Sequence, residues 1–290
     1  MQKTNLIFRK LLLLSAFFFY AGQVSAQWNN GKYMKQAITR TLNYAKTYES
    51  SSSVYGFAKG LSFLGTYLDP TGGKSNFTIE LIANKKYIFM GGGDDDATDV
   101  DIKITKNDKV IASDTKTDNQ PFISYAPDET ARYVLTLSNH ASKGAYCCLV
   151  ILESGGIALN TSRIDEAKNA LFGTTSIVQQ VSPTGVVFQS QNNSWCLFGY
   201  LIEQGAEYSI YGMPLRTDSK HYFVGVGDND VRDIDICVNN SEDSDETCNK
   251  ELDATPLVVL KKATATSYGF KIKNVKSDGR SFVLVSILRE

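Results

Sequence analysis

Residues 65–102 of this chain repeat at 199–236 without a gap, and that offset of 134 residues sets the scale of whatever the chain folds into. Gly65, Ser75, Leu81, Lys86, Phe89, Gly91 and Gly93 lie over Gly199, Ser209, Leu215, Lys220, Phe223, Gly225 and Gly227. The match is densest where Asp94-Asp95-Asp96-Ala97-Thr98-Asp99-Val100-Asp101-Ile102 meets Asp228-Asn229-Asp230-Val231-Arg232-Asp233-Ile234-Asp235-Ile236, which keeps four aspartates and the apolar alternation between them. Small insertions then move the offset to 135 at Tyr133/Tyr268 and to 136 at Tyr146/Phe282. Units of about 130 residues have the usual size of a domain. A period this long, present twice, argues for tandem domains and against a solenoid of short stacked repeats.

In each unit a helical pattern precedes strands. Tyr33, Ala37, Ile38, Leu42 and Ala45 recur at helical spacing in the first unit. In the second, Ser162-x-x-Asp165 reads as a capping box ahead of Ile164, Ala167, Ala170 and Leu171. The remainder alternates with period two, as in Phe77, Ile79, Leu81 and in Val100, Ile102, Ile104, echoed by Ile234, Ile236 and by Tyr268, Phe270, Ile272. The runs 146–152 and 282–288 are apolar at nearly every position, the pattern of central strands covered on both faces. Short strands punctuated by Gly, Asn, Asp and Pro predict a β-sandwich in each unit. The expected organisation is all-β dominated, with residues 27–156 and 157–290 as tandem sandwich domains, each preceded by a short α-helix, and Gly155-Gly156 as a short linker.

Residues 1–26 carry Lys3, Arg9 and Lys10 but no acid, followed by the apolar run Leu11–Ala21 and by Val24-Ser25-Ala26, which predicts a cleavable signal peptide. No second apolar stretch of about twenty residues follows, and no cysteine stands at the cleavage point for lipidation. The expectation is a periplasmic or secreted protein with no membrane insertion after cleavage. Loss of the segment leaves 27 Lys+Arg against 31 Asp+Glu, a net charge of −4 that disfavours nucleic acid and anionic membranes as partners. All five cysteines are in the mature part, where an oxidising compartment permits disulfides. Cys237 and Cys248 flank the polar stretch 238–246, so a hairpin would pair them at little entropic cost. Cys147-Cys148 lie in an apolar strand pattern and read as small buried hydrophobes, and Cys196 has no assigned partner.

The order in copy one is an aromatic strand (Tyr87-Ile88-Phe89), a Gly-Asp turn, Asp99-Val100-Asp101-Ile102, Lys109-Val110-Ile111-Ala112-Ser113-Asp114, Ile123-Ser124-Tyr125-Ala126-Pro127 and Arg132-Tyr133-Val134-Leu135-Thr136-Leu137. This series resembles the bacterial pre-peptidase C-terminal domain over roughly residues 76–153, and less closely in copy two. The resemblance implies a jelly-roll-like β-sandwich of the kind appended to secreted peptidases, some of whose relatives bind collagen or calcium. The chain departs from that pattern in its leading helices and in having no peptidase domain beside it.

Two readings compete for the aspartates. Asp99 and Asp101 share one face of a strand, with Asp94 and Asp96 in the preceding turn, and copy two offers Asp228, Asp230, Asp233 and Asp235. Converging carboxylates repel unless a hard cation joins them, which makes Ca2+ the candidate metal. The competing reading, which the sequence favours, is a turn and sheet face whose aspartates bond their own backbone. Arg232 in place of Thr98 is expected to neutralise copy two internally. No catalytic residues are expected: His140 and His221 occupy non-equivalent positions, and neither HExxH nor GxSxG occurs. Gly91-Gly92-Gly93 leads into an acidic run and another strand, so it is no phosphate cradle. Trp28 and Trp195, the latter near Tyr200 and Tyr208, are the aromatics that a sugar or protein site would use, although Trp195 reads better as part of a packed strand. The sequons at Asn76, Asn160, Asn192 and Asn239 matter only in a glycosylating host. The expected function is an exported, non-catalytic binding or accessory protein for a glycan or protein partner of the envelope or exterior. A structural or assembly component of an envelope complex is the alternative, and a hydrolase with an unrecognised site a minor one.

Overall fold

The computed structural model describes residues 31–48, 54–70, 72–141, 143–158, 161–190, 194–241, 246–265 and 267–290. The expected signal peptide, Trp28 and the sequons at Asn160 and Asn192 lie outside the described residues. Helix α1 covers 31–48 and α2 covers Thr161–Val181. Copy one contributes β1 (Tyr55–Phe57), β2 (Gly60–Leu68), β3 (Lys74–Leu81), β4 (Tyr87–Gly93), β5 (Val100–Lys106), β6 (Lys109–Asp114), β7 (Phe122–Tyr125), β8 (Ala131–Asn139) and β9 (Ala145–Ser154). Copy two contributes β10 (Val187–Phe188), β11 (Trp195–Ile202), β12 (Glu207–Met213), β13 (His221–Gly227), β14 (Val231–Asn240), β15 (Glu246–Asn249), β16 (Leu257–Leu260), β17 (Tyr268–Ser277) and β18 (Ser281–Arg289).

Strand order is the same in both copies. In the first, β2-β9-β4-β7 faces β3-β8-β5-β6; in the second, β11-β18-β13-β16 faces β12-β17-β14-β15. Each set is an eight-stranded jelly roll, and the fold is all-β dominated as the alternation predicts.

The expectation of separate sandwiches on a tether needs correction. β2 pairs antiparallel with β11, so that the two halves share one ten-stranded sheet, with β1 and β10 paired off its main path. Left alone, β2 and β11 would each be an apolar edge strand with unpaired backbone groups, and joining them removes both edges. The register is symmetric: Leu64 faces Phe198, its own counterpart in the repeat, while Gly65 faces Leu197 and Phe63 faces Gly199. The register shifts on either side of this centre are images of one another. A Cβ at Gly199 would lie 2.7 Å from the Cβ of Phe63, and one at Gly65 3.0 Å from that of Leu197. The two glycines that anchor the sequence repeat therefore make room for large partners across the seam. Gly155-Gly156 is tied down as well, by backbone hydrogen bonds of 2.9 Å in both directions between Phe57 and Ile157.

The ten-stranded sheet is a middle layer. On one face it meets both four-stranded sheets, in a core that runs from Phe89 and Leu149 of copy one through Phe198 to Phe270 and Val285 of copy two. On the other it carries the helices: Met34, Ile38 and Leu42 of α1 and Ile164, Leu171 and Val178 of α2 share a second core with Val150, Leu152, Val224 and Leu284. This explains why β9 and β18 are buried along nearly their whole length. Where α1 crosses β4, a Cβ at Gly92 would lie 2.6 Å from Thr41 Oγ1, so this glycine serves close packing. Helix α2 begins at Thr161, and the Asp165 carboxylate takes a 2.6 Å hydrogen bond from Lys168 Nζ one turn on. No helix among the described residues is long and apolar enough to cross a membrane.

Candidate functional site: the acidic turns and the seam groove

The acidic turns after β4 and β13 are built alike. Asp94 Oδ1 accepts the Asp96 N–H at 2.9 Å and Oδ2 accepts the Tyr146 N–H at 2.8 Å, which ties the turn to the start of β9. Asp228 accepts the Asp230 N–H at 3.3 Å and the Phe282 N–H at 2.8 Å, tying its turn to β18. Both residues are buried, and burial pushes Asp94 up to about 6, against the opposing pull of the Tyr146 and Asp96 amides. Asp228 is raised by the same cause, countered by the Phe282 amide and Arg163. The turns are also clamped by arginines from the helices. Arg40 reaches Asp95 at 2.9 Å, and Arg163 reaches Asp228 at 2.9 Å and Asp230 at 2.8 Å. The expected role of Arg232 is thus taken by Arg163, while Arg232 pairs with Asp278 at 2.7 Å.

The strand aspartates lie apart from these turns. Asp99 and Asp233 are buried just before β5 and early in β14, and Asp101 and Asp235 are half-buried two residues later. Burial, then the neighbouring Asp99, raises Asp101, and burial with Asp233 raises Asp235. Among the described residues, no three of the eight aspartates bring carboxylate oxygens within 4.8 Å of one another. The group that meets this spacing is Cys237, Cys248 and Glu246, whose thiols are joined in the disulfide between facing residues of β14 and β15. Cys147, Cys148 and Cys196 are free and buried, and burial pushes all three thiols up, away from reactivity.

A backbone-capping role gives a direct expectation. Asp94→Ala leaves the buried Tyr146 amide without its acceptor and should cost about 1–3 kcal/mol, whereas Asp101→Ala should change stability by under about 1 kcal/mol. Urea midpoints measured with excess calcium and with chelator should coincide for the unmutated protein and for each variant. A calcium-dependent midpoint abolished by Asp99→Ala with Asp101→Ala would instead restore the metal reading.

A concave feature of the sandwich side lies over the seam. β3 and β12 are each paired on one side alone, to β8 and β17, and they wall a groove of about 530 Å³ floored by Trp195 and Phe198 of β11. Trp195 is 6% exposed, with its indole N–H donated to Asn76 O at 2.8 Å and its ring edge-on to Phe77. Phe77 and Tyr211 are counterparts in the repeat, one on each wall. They differ in presentation. β3 runs in unbroken register with β8, whereas the register of β12 shifts between Ile210 and Met213, with Gly212 at φ +76°. This bulge re-aims Tyr211, which is 70% exposed. Polar Thr78, Glu80, Arg132 and Ser209 complete the lining. Of the aromatics noted in the sequence, Tyr200 and Tyr208 stack together, Tyr200 fully buried, and among the described ones only Trp195 reaches the groove.

No family model matches the chain, and no curated protein matches it. Solved structures resemble parts of it. The periplasmic g-type lysozyme inhibitor PliG of Aeromonas hydrophila is 14% identical with a TM-score of 0.26, over 34% of this chain and 92% of its own. TmCBM61 in complex with β-1,4-galactotriose is 8% identical with a TM-score of 0.24, over 37% of this chain and 80% of its own. Likenesses at this level carry no functional argument.

Proposed function

We propose that this chain is an exported, non-catalytic binding protein that holds a glycan strand in the groove over the seam, each half being kin to the pre-peptidase C-terminal domains. The observation that carries the reading is the pairing of Tyr211, held out by its bulge, with Phe77 and Trp195 across a groove whose walls also offer amide, hydroxyl and charged groups. Sugars present apolar C–H faces rimmed by hydroxyls, and a mixed aromatic and polar lining answers both. The exposed edges of β3 and β12 are also what a polypeptide strand would need, and a protein ligand is the outcome that would redirect the reading.

The test is a glycan array followed by calorimetric titration of the best binder. Tyr211→Ala should weaken binding about 10-fold or more, as loss of a central aromatic contact does. Its thermal midpoint should stay unchanged, because the side chain lies mostly in solvent. Unaltered affinity in that variant would remove the groove as the site.

A further inference from the structure

A second pocket, of about 280 Å³, is lined by Gln189, Ser190, Arg216 and Arg289. Arg289 is the last residue of β18 and half-buried; Arg216 comes from the β12–β13 connection and is exposed. Some surface cations find acids, as Lys220 does with Glu290, Lys262 with Asp218, Arg232 with Asp278 and Arg280 with Glu203. Neither Arg216 nor Arg289 has an acidic partner among the described residues. Burial, and then the nearby Arg216 guanidinium, disfavours the charge on Arg289. Like charges converging on a concave, partly desolvated site need an anion to offset them.

The same pocket holds an unused acceptor. Gln189 is fully buried, and its Nε2 donates to Pro214 O at 3.0 Å, while its Oε1 has no partner. An inorganic anion without an O–H group, such as sulfate, would satisfy the arginines and leave Oε1 orphaned. A group that couples a carboxylate to neighbouring hydroxyls satisfies both, since a hydroxyl donates to Oε1 while the carboxylate meets the guanidiniums. Pro214 lines the seam groove, so the hydrogen bond from Gln189 links the arginine pocket to a residue of the groove.

We propose that Arg216 and Arg289 bind the carboxylate of a uronic acid residue in a glycan whose neighbouring sugars occupy the seam groove. The proposal rests on the groove reading and narrows it to acidic polysaccharides. The net negative charge of the chain gives no long-range attraction to a polyanion, so recognition of one falls to this local pair of cations.

The experiment titrates three probes by calorimetry: a galacturonate oligomer, the same oligomer with its carboxyls reduced, and free sulfate. The unmutated protein should bind the acidic oligomer about 30-fold more tightly than the reduced one, the scale of a charge-assisted pair of hydrogen bonds. Arg216→Ala, an exposed position that should leave folding intact, should erase that preference and keep the weak binding of the reduced oligomer. Arg216→Lys should restore part of it. Tyr211→Ala should weaken both oligomers. Equal affinity for acidic and reduced oligomers, still sensitive to Tyr211→Ala, would overturn the arginine pocket and leave the groove standing. Failure of both oligomers to bind, or binding insensitive to Tyr211→Ala, would overturn the groove. Sulfate binding that competes with nothing would reduce the pocket to a site for small anions and end the uronate assignment.

Discussion

Phe198→Ala is expected to destabilise the protein by about 3–5 kcal/mol, the cost of emptying a site filled by a buried aromatic. Phe198 is 1% exposed, lies opposite Leu64 at the centre of the seam, and meets the ring of Phe270 edge-on at 5.2 Å. Against a typical total of about 5–15 kcal/mol, that loss brings the fold close to the unfolding threshold. The manner of the loss matters as much as its size. β11 belongs to copy two by sequence but pairs with β2 of copy one, and one core spans the seam. Urea unfolding followed by circular dichroism should therefore give one transition before and after the substitution, moved to a lower midpoint. Two resolved transitions, with only one displaced by Phe198→Ala, would show that the halves unfold on their own and that the shared core does not couple them.

The second large effect concerns acid. His221 is fully buried, its Nδ1 against Ser219 O at 3.2 Å and its Nε2 without a partner. Burial, aided by nearby Arg289, pushes its pKa from 6.5 down to about 4. A folded-state value below the unfolded one means that the fold favours the neutral ring. The associated stability is present above pH 6.5 and is lost as pH falls through 4, a total of about 3 kcal/mol. Asp94 acts in the opposite sense. Its value of about 6 exceeds the ordinary 3.8, so its contribution is full below 3.8 and fades as pH rises through 6. The two slopes offset one another between pH 4 and 6, and the unmutated protein alone will not reveal either. The difference between it and His221→Gln isolates the histidine. That difference, from urea midpoints at pH 4, 5, 6 and 7, should change by about 3 kcal/mol across the window, the variant being relatively favoured in acid. Parallel curves would mean that His221 accepts a proton in the folded state at its ordinary pKa.

The architecture was legible where identical physics acts in both copies. Alternation within β3, β5 and β8, and its echo in copy two, follows from half-buried strands. The continuous apolar runs that became β9 and β18 were readable as strands covered on both faces. The fusion of the halves was not legible, because the pairing of β2 with β11 joins residues 129 to 141 positions apart by backbone groups that every residue possesses. Gly65 and Gly199 carried the hint: they are retained where a Cβ would strike the opposing side chain. The aspartates stood out in the sequence without declaring their role, although backbone bonding was the favoured reading. Repetition of Asp94 as Asp228 reflects a repeated backbone cap, and sequence does not distinguish a carboxylate facing an amide from one facing an ion. The groove was missed because it depends on which strands are edges, and Tyr211 because a bulge, rather than a composition, brings it out. Arg216 and Arg289 are distant in sequence and carry no motif.

The unequal walls of the seam groove bear on how a polymer would thread it. A cleft on a perfect twofold axis reads a chain identically from either end. Here one wall offers Phe77 tucked against Trp195 and the other Tyr211 standing clear, with the arginine pair beyond the Pro214 end. Fusing two copies into one polypeptide allowed the halves to diverge, and divergence gives the cleft a polarity, so that a strand with distinct reducing and non-reducing termini would be held in one direction.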